Sequence, residues 1–229
     1  MTVVAPELDF FSLNKAVKAG VDSRLEQFFA HKKKRAAGID GRTKRLVEDI
    51  EKVVRRGGKR IRPTLAVVGY QAAGGKDLEH ALDAAVAVEL LHAFMLVHDD
   101  VMDQDLVRHG GKNLGGIYRT RFAKSMGEAE AAHTADSMAI LAGDLLMSWV
   151  FEVLAVYVKD GALLARVIGQ QSAVIFDTAA GQQLDVLSVF EEQMSVKQIM
   201  KIPHYKTGLY SFVAPLQFGV LIAGKQELP

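Results

Sequence analysis

Three carboxylates stand close together at the end of an apolar segment, and their types and spacing could bind a metal. The segment ELLHAFMLVHDDVMD covers residues 89–103 and contains Asp99, Asp100 and Asp103. On a helix, Asp103 would lie one turn after Asp99 and about 40° round the axis, with His92 two turns before Asp99 on the same face. Acidic side chains spaced in this way repel one another unless a cation lies between them. Because oxygen ligands suit hard divalent ions, the spacing predicts a magnesium site.

The alternative interpretation of these carboxylates is a solvated acidic helix end. The residues before them argue against it, because the preceding turns are apolar and typical of a core helix. The apolar residues of those turns are Leu90, Leu91, Phe94, Met95, Leu96 and Val97. The acidic residues therefore end a buried element, which favours metal binding over a solvated surface.

The basic run RRGGKRIRP, residues 55–63, is the second candidate. Gly57 and Gly58 allow the backbone to approach a ligand closely, and the N-terminus of the next helix offers N–H groups to an anion. Lys59 and Arg62 are three residues apart and can project on one side. Taken alone, the run is better explained as a solvated surface. Together with the acidic helix end, it predicts a diphosphate site with cations on one wall and metal-binding carboxylates on the other.

Other polar residues interrupt the apolar helices of the C-terminal half, and each could belong to the same site. They are Asp144, Gln182, Asp185, Lys206 and Thr207. Each is also typical of a buried polar group whose hydrogen bonds are satisfied inside the protein. As single features they do not decide between the two interpretations.

Apolar periodicity predicts the helices that position these residues. A helix is expected from Asp9 to about Lys34, and a second, short helix ends at Arg55. A third covers about residues 64–73, and a long helix from Leu78 delivers the aspartates.

Two further segments complete the expected layout. The basic run Lys32–Arg35 is interpreted as a solvated helix end. Residues 108–121 are rich in glycine and basic side chains and are predicted to form a mobile loop, with helical patterning from about Ala131 to Gly224. Because no convincing set of alternating strands is present, the fold class is predicted to be all-α, a bundle of about eight long helices.

Composition limits the classes of function. The chain has 229 residues, 49% of them hydrophobic, which is enough for a core. Its 28 Lys and Arg against 27 Asp and Glu give no field that favours nucleic acid. The absence of cysteine excludes disulfides and thiolate metal sites and agrees with a cytoplasmic location. The first ten residues lack a signal-peptide pattern, and residues 138–158 contain two acidic residues, so a buried helix is favoured over a membrane span.

Five ordered motifs resemble the trans-isoprenyl diphosphate synthases, the family of farnesyl and geranylgeranyl diphosphate synthases. They are GGKRIRP from Gly57, DDVMD from Asp99, AGD from Ala142, GQQLD from Gly181 and KTG from Lys206. The resemblance implies one all-helical domain over residues 1–229, with long, mostly antiparallel helices around a central cavity. It also implies a homodimer and a reaction in which an allylic diphosphate ionises and the cation is attacked by isopentenyl diphosphate.

The resemblance assigns roles to particular residues of this chain. It implies that four carboxylates hold Mg²⁺: Asp99, Asp100, Asp103 and Asp185. It implies that the allylic diphosphate is bound by Arg108, Lys206 and Thr207. It implies that isopentenyl diphosphate is bound by Lys59, Arg62 and His92, and that His109 and Gln182 are further substrate-binding residues. The residues expected to act directly on the reacting diphosphate are Asp99, Asp103, Arg108 and Lys206.

Product length in this family depends on the two positions before the first aspartate motif, here Phe94 and Met95. A single aromatic followed by a flexible methionine favours a geranylgeranyl-type product over a farnesyl-type one. Both residue types are equally ordinary in a core.

Three departures from the family pattern are visible. His109 stands where a second arginine is usual, and the segment from Gly110 to Ala139 is longer than usual, which suggests an extra loop or partner surface. The second aspartate-rich motif and the closing helices do not appear before Pro229. The chain is therefore expected to be incomplete at its C-terminus, and a polypeptide that truly ended there is expected to transfer little or no prenyl group.

Two other classes of function compete with the synthase. One is a non-catalytic or truncated partner subunit of a prenyl synthase, although such a subunit would not need the intact aspartate motif. The other is a metal-dependent phosphohydrolase that uses the adjacent His98 and Asp99, with His92 and His133 as further ligands.

Overall fold

Helices make up most of the chain in the computed structural model, which describes residues 9–225. The predictions that concern the first eight residues and Pro229 fall outside the described residues. Within residues 9–225 the helices are α1 (Phe10–Ala37), α2 (Gly41–Arg55), α3 (Ile61–Ala72), α4 (Leu78–Met102), α5 (Leu114–Phe122), α6 (Glu128–Tyr157), α7 (Gly161–Ser188), α8 (Val196–Pro203), a π-helix (His204–Val213) and α9 (Ala214–Ile222). The predicted all-α class is confirmed.

The first helix begins at a hydrogen-bonded N-cap. Near its other end it carries a buried cation that is paired with a residue distant in sequence. Asp9 accepts hydrogen bonds from the backbone N–H groups of the first turn. The expected solvated end is wrong for Lys32, whose side chain is only 3% exposed. It forms an ion pair with Glu152 of α6, and its ammonium lies 4.9 Å from the centre of the Phe28 ring. A buried cation needs such partners, and these come from a helix far along the chain.

The central element is α4, which packs against α1, α3 and α6. By length and composition alone, α4 and α6 could each cross a membrane, but 67% of the most apolar window of α4 and 44% of that of α6 are buried inside the protein. A helix that is apolar on all sides belongs in a protein core as readily as in lipid. Asp99, Asp100 and Asp103, three of the residues predicted to bind metal, therefore lie at the C-terminal end of the main core helix.

Residues 107–122 are folded, so the predicted mobile loop is wrong. Strands β1 (Val107–Arg108) and β2 (Gly111–Lys112) form a hairpin. Its two turn residues, His109 and Gly110, both have positive φ, which is the backbone of a type I′ turn. Asn113 then caps α5 by accepting a hydrogen bond from Gly116 N–H and donating one to the carbonyl of Asp105. Glycine here marks tight turns and close packing rather than mobility.

The expected extra loop in the segment from Gly110 to Ala139 is also wrong, because this segment folds as β2, α5 and the first turns of α6. Tyr118 of α5 and Ala131 and Ala135 of α6 are buried. A smaller correction concerns Pro63, which is the third residue of α3 rather than the first. Its missing N–H is harmless in the first helical turn.

Helices α3 and α9 approach each other so closely that glycine is required on both. A Cβ atom added at Gly219 would lie 1.9 Å from the Ala66 carbonyl oxygen, and one added at Gly69 would lie 2.1 Å from the Leu216 carbonyl oxygen. Both obstacles are backbone atoms, which cannot rotate away. This contact supports α3, the helix that carries Arg62.

Replacing Gly219 with alanine is therefore expected to lower the free energy of unfolding by at least about 1–3 kcal/mol, since the helices must separate. Gly169 is the matched control, because it lies within α7 and a Cβ there meets nothing within 4 Å. Gly169→Ala is expected to raise stability by about 0.5–1 kcal/mol. Urea unfolding followed by circular dichroism measures both, and equal effects would contradict the proposed close contact.

Candidate active site

The connection between α2 and α3 forms a turn that we call the glycine loop, residues 56–60. Gly57 and Gly58 have φ angles of 142° and 95°, which side chains rarely allow. The loop folds back over α4, and its basic residues line a cavity. Because glycine lets the backbone adopt these angles without strain, the loop can bring Lys59 and the start of α3 to that cavity.

The first cavity has a volume of about 530 Å³, and most of the polar side chains that line it are basic. Those side chains are Arg56, Lys59, Arg60, Arg62, Arg108 and His109, with His92 among them. The structure therefore brings together the three residues predicted to bind isopentenyl diphosphate, Lys59, Arg62 and His92, and places His109 beside them. Arg56 was not predicted, although it lies in the same basic run, and its guanidinium donates to the carbonyl of Lys112 at 2.6 Å.

Arg62 and His92 are held in one hydrogen-bonded chain. Arg62 donates from Nη1 to His92 Nε2 at 3.0 Å and from Nη2 to Ser211 Oγ at 2.7 Å, and His92 Nδ1 is bonded to the Tyr210 hydroxyl. Because Arg62 is a donor, Nε2 must accept and the proton of the neutral ring lies on Nδ1. Among the described residues the buried Nε of Arg62 has no partner. This hydrogen-bonded network thus leaves the Nε–H donor of Arg62, a residue that lines the first cavity, without an acceptor.

Burial, and then the positive charge of Arg62, hold the pKa of His92 well below its usual range. The unfolded chain therefore binds more protons than the folded one between the lowered pKa and about 6.5, and stability rises with pH across that window. The same contribution is lost as pH falls below about 6.5. In the folded protein at neutral pH, His92 is a neutral hydrogen-bonding group rather than a cation.

We expect His92→Gln to remove part of this acid sensitivity. In the unsubstituted chain, protonation linked to His92 is expected to lower the free energy of unfolding by up to about 1.4 kcal/mol for each pH unit below about 6.5. This is the value for the binding of one proton. Urea unfolding at several pH values from 5 to 7.5 measures the slope. His133→Gln, at an exposed position on α6, is the matched control. An unchanged slope in His92→Gln would contradict the assignment.

A second cavity of about 350 Å³ adjoins the first, and the two share Arg62, Leu96 and Arg108 as lining residues. Its lining is largely apolar: Phe94, Met95, Met102, Ile175 and Ala179. The polar residues on it are Asp99, Thr178, Gln182, Lys206, Thr207, His98 and Tyr210. The first cavity therefore carries a cluster of basic side chains, and its neighbour combines an apolar wall with a carboxylate and a lysine.

Three of the predicted metal ligands surround one lysine. Lys206 Nζ lies 2.7 Å from Asp185 Oδ2, 3.2 Å from Asp99 Oδ1 and 3.7 Å from Asp103 Oδ2. Gln182 Nε2 donates to Asp103 Oδ1 at 3.3 Å. Lysine therefore neutralises carboxylates that come from two different helices.

Asp100 points in a different direction from Asp99, since successive residues of a helix are about 100° apart round its axis. Arg108 Nε donates to Asp100 Oδ1 at 2.5 Å, and Arg108 Nη2 donates to Asp99 Oδ2 at 3.2 Å. Burial raises the pKa of the Asp100 carboxyl. Arg108 thus links two adjacent aspartates that face different cavities.

Within residues 9–225 no group of three or more acidic or histidine side chains is arranged to hold a metal ion. The four predicted ligands are thus not gathered at one point, because Asp100 is bound to Arg108 and the other three surround Lys206. The chemistry of the three still fits magnesium, since they offer only carboxylate oxygen and already surround a positive charge. The His-Asp metal cluster of a phosphohydrolase is also not assembled in this part of the chain.

His98 is engaged in packing. Its ring lies 4.8 Å from that of Phe94, and a Cβ added at Gly143 would lie 2.2 Å from His98 Nε2. Asp144, the aspartate of the AGD motif, is 3.8 Å from the same nitrogen and 63% exposed. The glycine before Asp144 therefore makes room for an imidazole on the wall of the second cavity.

Lys206, Thr207, Tyr210 and Ser211 all lie on the π-helix. This helix packs closely on α7, since a Cβ at Gly181 would be 2.2 Å from the backbone nitrogen of Lys206. Sequence periodicity gave no sign of a π-helix, because such segments are rare and have no simple apolar repeat. They are frequent at functional sites, and this one supplies Lys206, Thr207 and Tyr210 to the second cavity.

Comparisons with known proteins agree with this geometry. Residues 43–228 match the family model described as polyprenyl synthetase. A geranylgeranyl diphosphate synthase of Cyanophora paradoxa is 32% identical over 80% of this chain and 57% of its own length. A short chain isoprenyl diphosphate synthase of Methanothermobacter thermautotrophicus is 32% identical over 78% of this chain and 49% of its own. The chain spans about half the length of these relatives.

The fold is also that of solved structures. A crystal structure of geranylgeranyl pyrophosphate synthase from Corynebacterium glutamicum, complexed with isoprenyl diphosphate and magnesium, matches with a TM-score of 0.83 and 29% sequence identity. The match covers 95% of this chain and 61% of that one. Similarity in sequence and in fold therefore extends over most of the described residues.

Proposed function

Because the chain belongs to the polyprenyl synthetase family, we propose that it acts as a magnesium-dependent prenyltransferase that condenses isopentenyl diphosphate with an allylic diphosphate. The observation that carries this proposal is the pair of adjoining cavities that share Arg62, Leu96 and Arg108. Two substrates, each with a diphosphate, need two binding sites that meet at the reacting carbons. A basic cavity beside an apolar one with acidic and basic groups meets that need.

In this proposal isopentenyl diphosphate lies in the first cavity. Lys59, Arg62 and His109 face its diphosphate, which needs several donors and positive charges. His92 orients Arg62 rather than adding charge, because its ring is neutral. The small isopentenyl group then points toward Leu96, where the cavities meet.

The allylic diphosphate lies in the second cavity. Its hydrocarbon chain packs against Phe94, Met95 and Ile175, and its diphosphate lies toward Arg108 and Lys206. Magnesium would be held by Asp99, Asp103 and Asp185, where it would supply positive charge to the leaving oxygens. Thr207 and Gln182 border the same cavity and would add hydrogen bonds.

The reaction breaks the C–O bond of the allylic diphosphate, and the electron pair leaves with the diphosphate. The allylic cation accepts the π electrons of the isopentenyl double bond, a C–C bond forms, and loss of a proton restores a double bond. Arg108 and Lys206 stabilise the departing oxygens as their negative charge grows. The apolar wall keeps water from the cation, which water would trap.

We further propose a short-chain product of the geranylgeranyl type, limited by Phe94 and Met95 on the wall of the second cavity. Several relatives are named geranylgeranyl diphosphate synthases, which supports this choice over a farnesyl product. A homodimer and a cytoplasmic location remain predictions of the family resemblance.

Incubation with isopentenyl diphosphate, geranyl or farnesyl diphosphate and Mg²⁺ tests the proposal. Chromatography with mass detection is expected to show a longer prenyl diphosphate and inorganic pyrophosphate. Release of inorganic phosphate without a longer chain would instead support a phosphohydrolase. If the chain forms no product by itself but stimulates a complete synthase that is added to the assay, the result would support a partner subunit.

A further inference from the structure

Arg60, the last residue of the glycine loop, is unusual in its burial and in its backbone conformation. Its side chain is only 2% exposed, and its backbone φ is 51°, in the left-handed region that residues with a Cβ seldom adopt. A buried arginine in a strained conformation costs free energy on two counts. Such a residue persists only where its surroundings hold it firmly.

Three groups from three different helices hold the Arg60 guanidinium. Its Nε donates to Asp22 Oδ1 of α1 at 2.8 Å, its Nη2 donates to the carbonyl of Val54 of α2 at 3.0 Å, and its Nη1 donates to Glu89 of α4. The Glu89 side chain is 6% exposed. The guanidinium therefore joins α1, α2 and α4 at one buried point directly under the loop.

The backbone on both sides of Arg60 is fixed as well. Asn14 of α1 donates to the Lys59 carbonyl at 2.9 Å and to Thr64 Oγ1 at 2.7 Å. Thr64 Oγ1 in turn donates to the Arg60 carbonyl at 2.8 Å. Lys59 is the residue before Arg60, and Arg62 is two residues after it. The hydrogen bonds to the carbonyls of Lys59 and Arg60 therefore fix the backbone from which the Lys59 and Arg62 side chains project.

Stability alone gives a poor account of this arrangement. A buried ion pair is often no more stabilising than apolar side chains of similar volume, because its charges must leave water. What an ion pair with directed hydrogen bonds can supply is one fixed geometry. Here the geometry that it fixes is that of a loop whose neighbours line the basic cavity.

We propose that Asp22, Arg60 and Glu89 are positioning residues that act through Lys59 and Arg62 to set the affinity of the first cavity for the diphosphate of isopentenyl diphosphate. This inference rests on the proposed function and names the residues that preorganise its isopentenyl site. A preorganised loop avoids the entropic cost of ordering its cations when the ligand binds. The second cavity includes Arg62 but not Lys59, Arg60 or Glu89, so its affinity is expected to change less.

Glu89→Gln tests the proposal, because it keeps the shape of the side chain and removes the charge. Binding of isopentenyl diphosphate is measured by calorimetry in EDTA, which excludes metal-assisted binding. We expect the Kd to rise at least tenfold. In steady-state kinetics the KM for isopentenyl diphosphate is expected to rise by a similar factor, with kcat and the KM for the allylic diphosphate within about twofold of the unsubstituted chain.

Glu152→Gln is the matched control. Glu152 also pairs with a buried cation of α1, Lys32, but lies outside both cavities. It is expected to lower stability without changing the Kd for isopentenyl diphosphate. An unchanged Kd in Glu89→Gln, or equal changes in the KM values of both substrates, would overturn the proposal. If Glu89→Gln does not fold, Asp22→Asn, at the more exposed end of the network, takes its place.

Hydrogen exchange separates this inference from the proposed function. Amides of residues 57–62 are expected to exchange faster in Glu89→Gln than in the unsubstituted chain, and not in Glu152→Gln, with no ligand present. Unchanged exchange in Glu89→Gln would overturn the positioning role. If the unsubstituted chain binds no isopentenyl diphosphate while exchange behaves as expected, the proposed function fails and the role of the network in shaping the loop stands.

Discussion

Replacing Asp99 with asparagine is expected to reduce prenyl transfer by about two to three orders of magnitude, the cost typical of losing one strong electrostatic contact to a reacting group. Asp99 is the carboxylate of the aspartate motif that lines the second cavity. Its two oxygens also receive Arg108 and Lys206, each at 3.2 Å. Asparagine keeps the size of the side chain and removes the charge that would attract magnesium. Initial rates of product formation measure the effect.

Asp105→Asn is the control that separates a metal-binding role from an effect on Arg108. Asp105 lies 3.7 Å from the same guanidinium but is 56% exposed and lies outside the second cavity. We expect the activity of the Asp105→Asn variant to lie within about threefold of that of the unsubstituted chain, because a solvated ion pair contributes little. Equal losses in both variants would mean that Asp99 acts only through Arg108. Calorimetric titration of Mg²⁺ in the presence of pyrophosphate should show weaker metal binding in Asp99→Asn alone.

The parts of the site that sequence could predict are those set by local geometry. Helical spacing placed Met95 one turn before Asp99, and both line the second cavity. The three-residue spacing of Lys59 and Arg62 likewise predicted that both would face one cavity. The prediction for Met95 and Asp99 succeeds because the direction of a side chain on a helix follows from residue number alone. Lys59 precedes α3, so its place in the cavity depends on the glycine loop instead.

Partners distant in sequence could not be predicted. Lys32 and Arg60 look like solvated charges because basic residues surround them in the sequence. Their burial depends on Glu152 and Glu89, which lie 120 and 29 residues away. Only the packing of α1 against α4 and α6 reveals which cations are structural and which are free to meet a ligand.

Glycine does not by itself distinguish a mobile loop from a tight turn. The sequence predicts a mobile loop that includes His109 and Gly110, but two positive φ angles make this dipeptide a tight hairpin turn. Glycine promotes flexibility in an open chain, but it is equally the residue that type I′ turns require. The π-helix had no sequence signal of comparable strength, so the common origin of Lys206 and Tyr210 was not foreseen.

Replacing Lys206 with glutamine is expected to have opposite effects on turnover and on magnesium binding. Turnover should fall by about 100-fold or more, because a fixed cation beside the leaving diphosphate is lost. Magnesium binding without diphosphate should instead tighten by about tenfold, or about 1.4 kcal/mol. The Lys206 ammonium lies among the carboxylates of Asp99, Asp103 and Asp185, where it repels an incoming magnesium ion.

Calorimetric titration of Mg²⁺ into the ligand-free protein measures this second effect, which does not depend on turnover. Lys201→Gln is the matched control, because Lys201 is an exposed lysine on α8, five residues earlier. It should leave both quantities unchanged. If Lys206→Gln weakened magnesium binding, the lysine would be holding the carboxylates in place for the metal rather than competing with it. A lysine that competes with the metal predicts tighter magnesium binding in Lys206→Gln, and a lysine that holds the carboxylates of α4 and α7 in place predicts weaker binding. The two roles therefore predict changes of opposite sign.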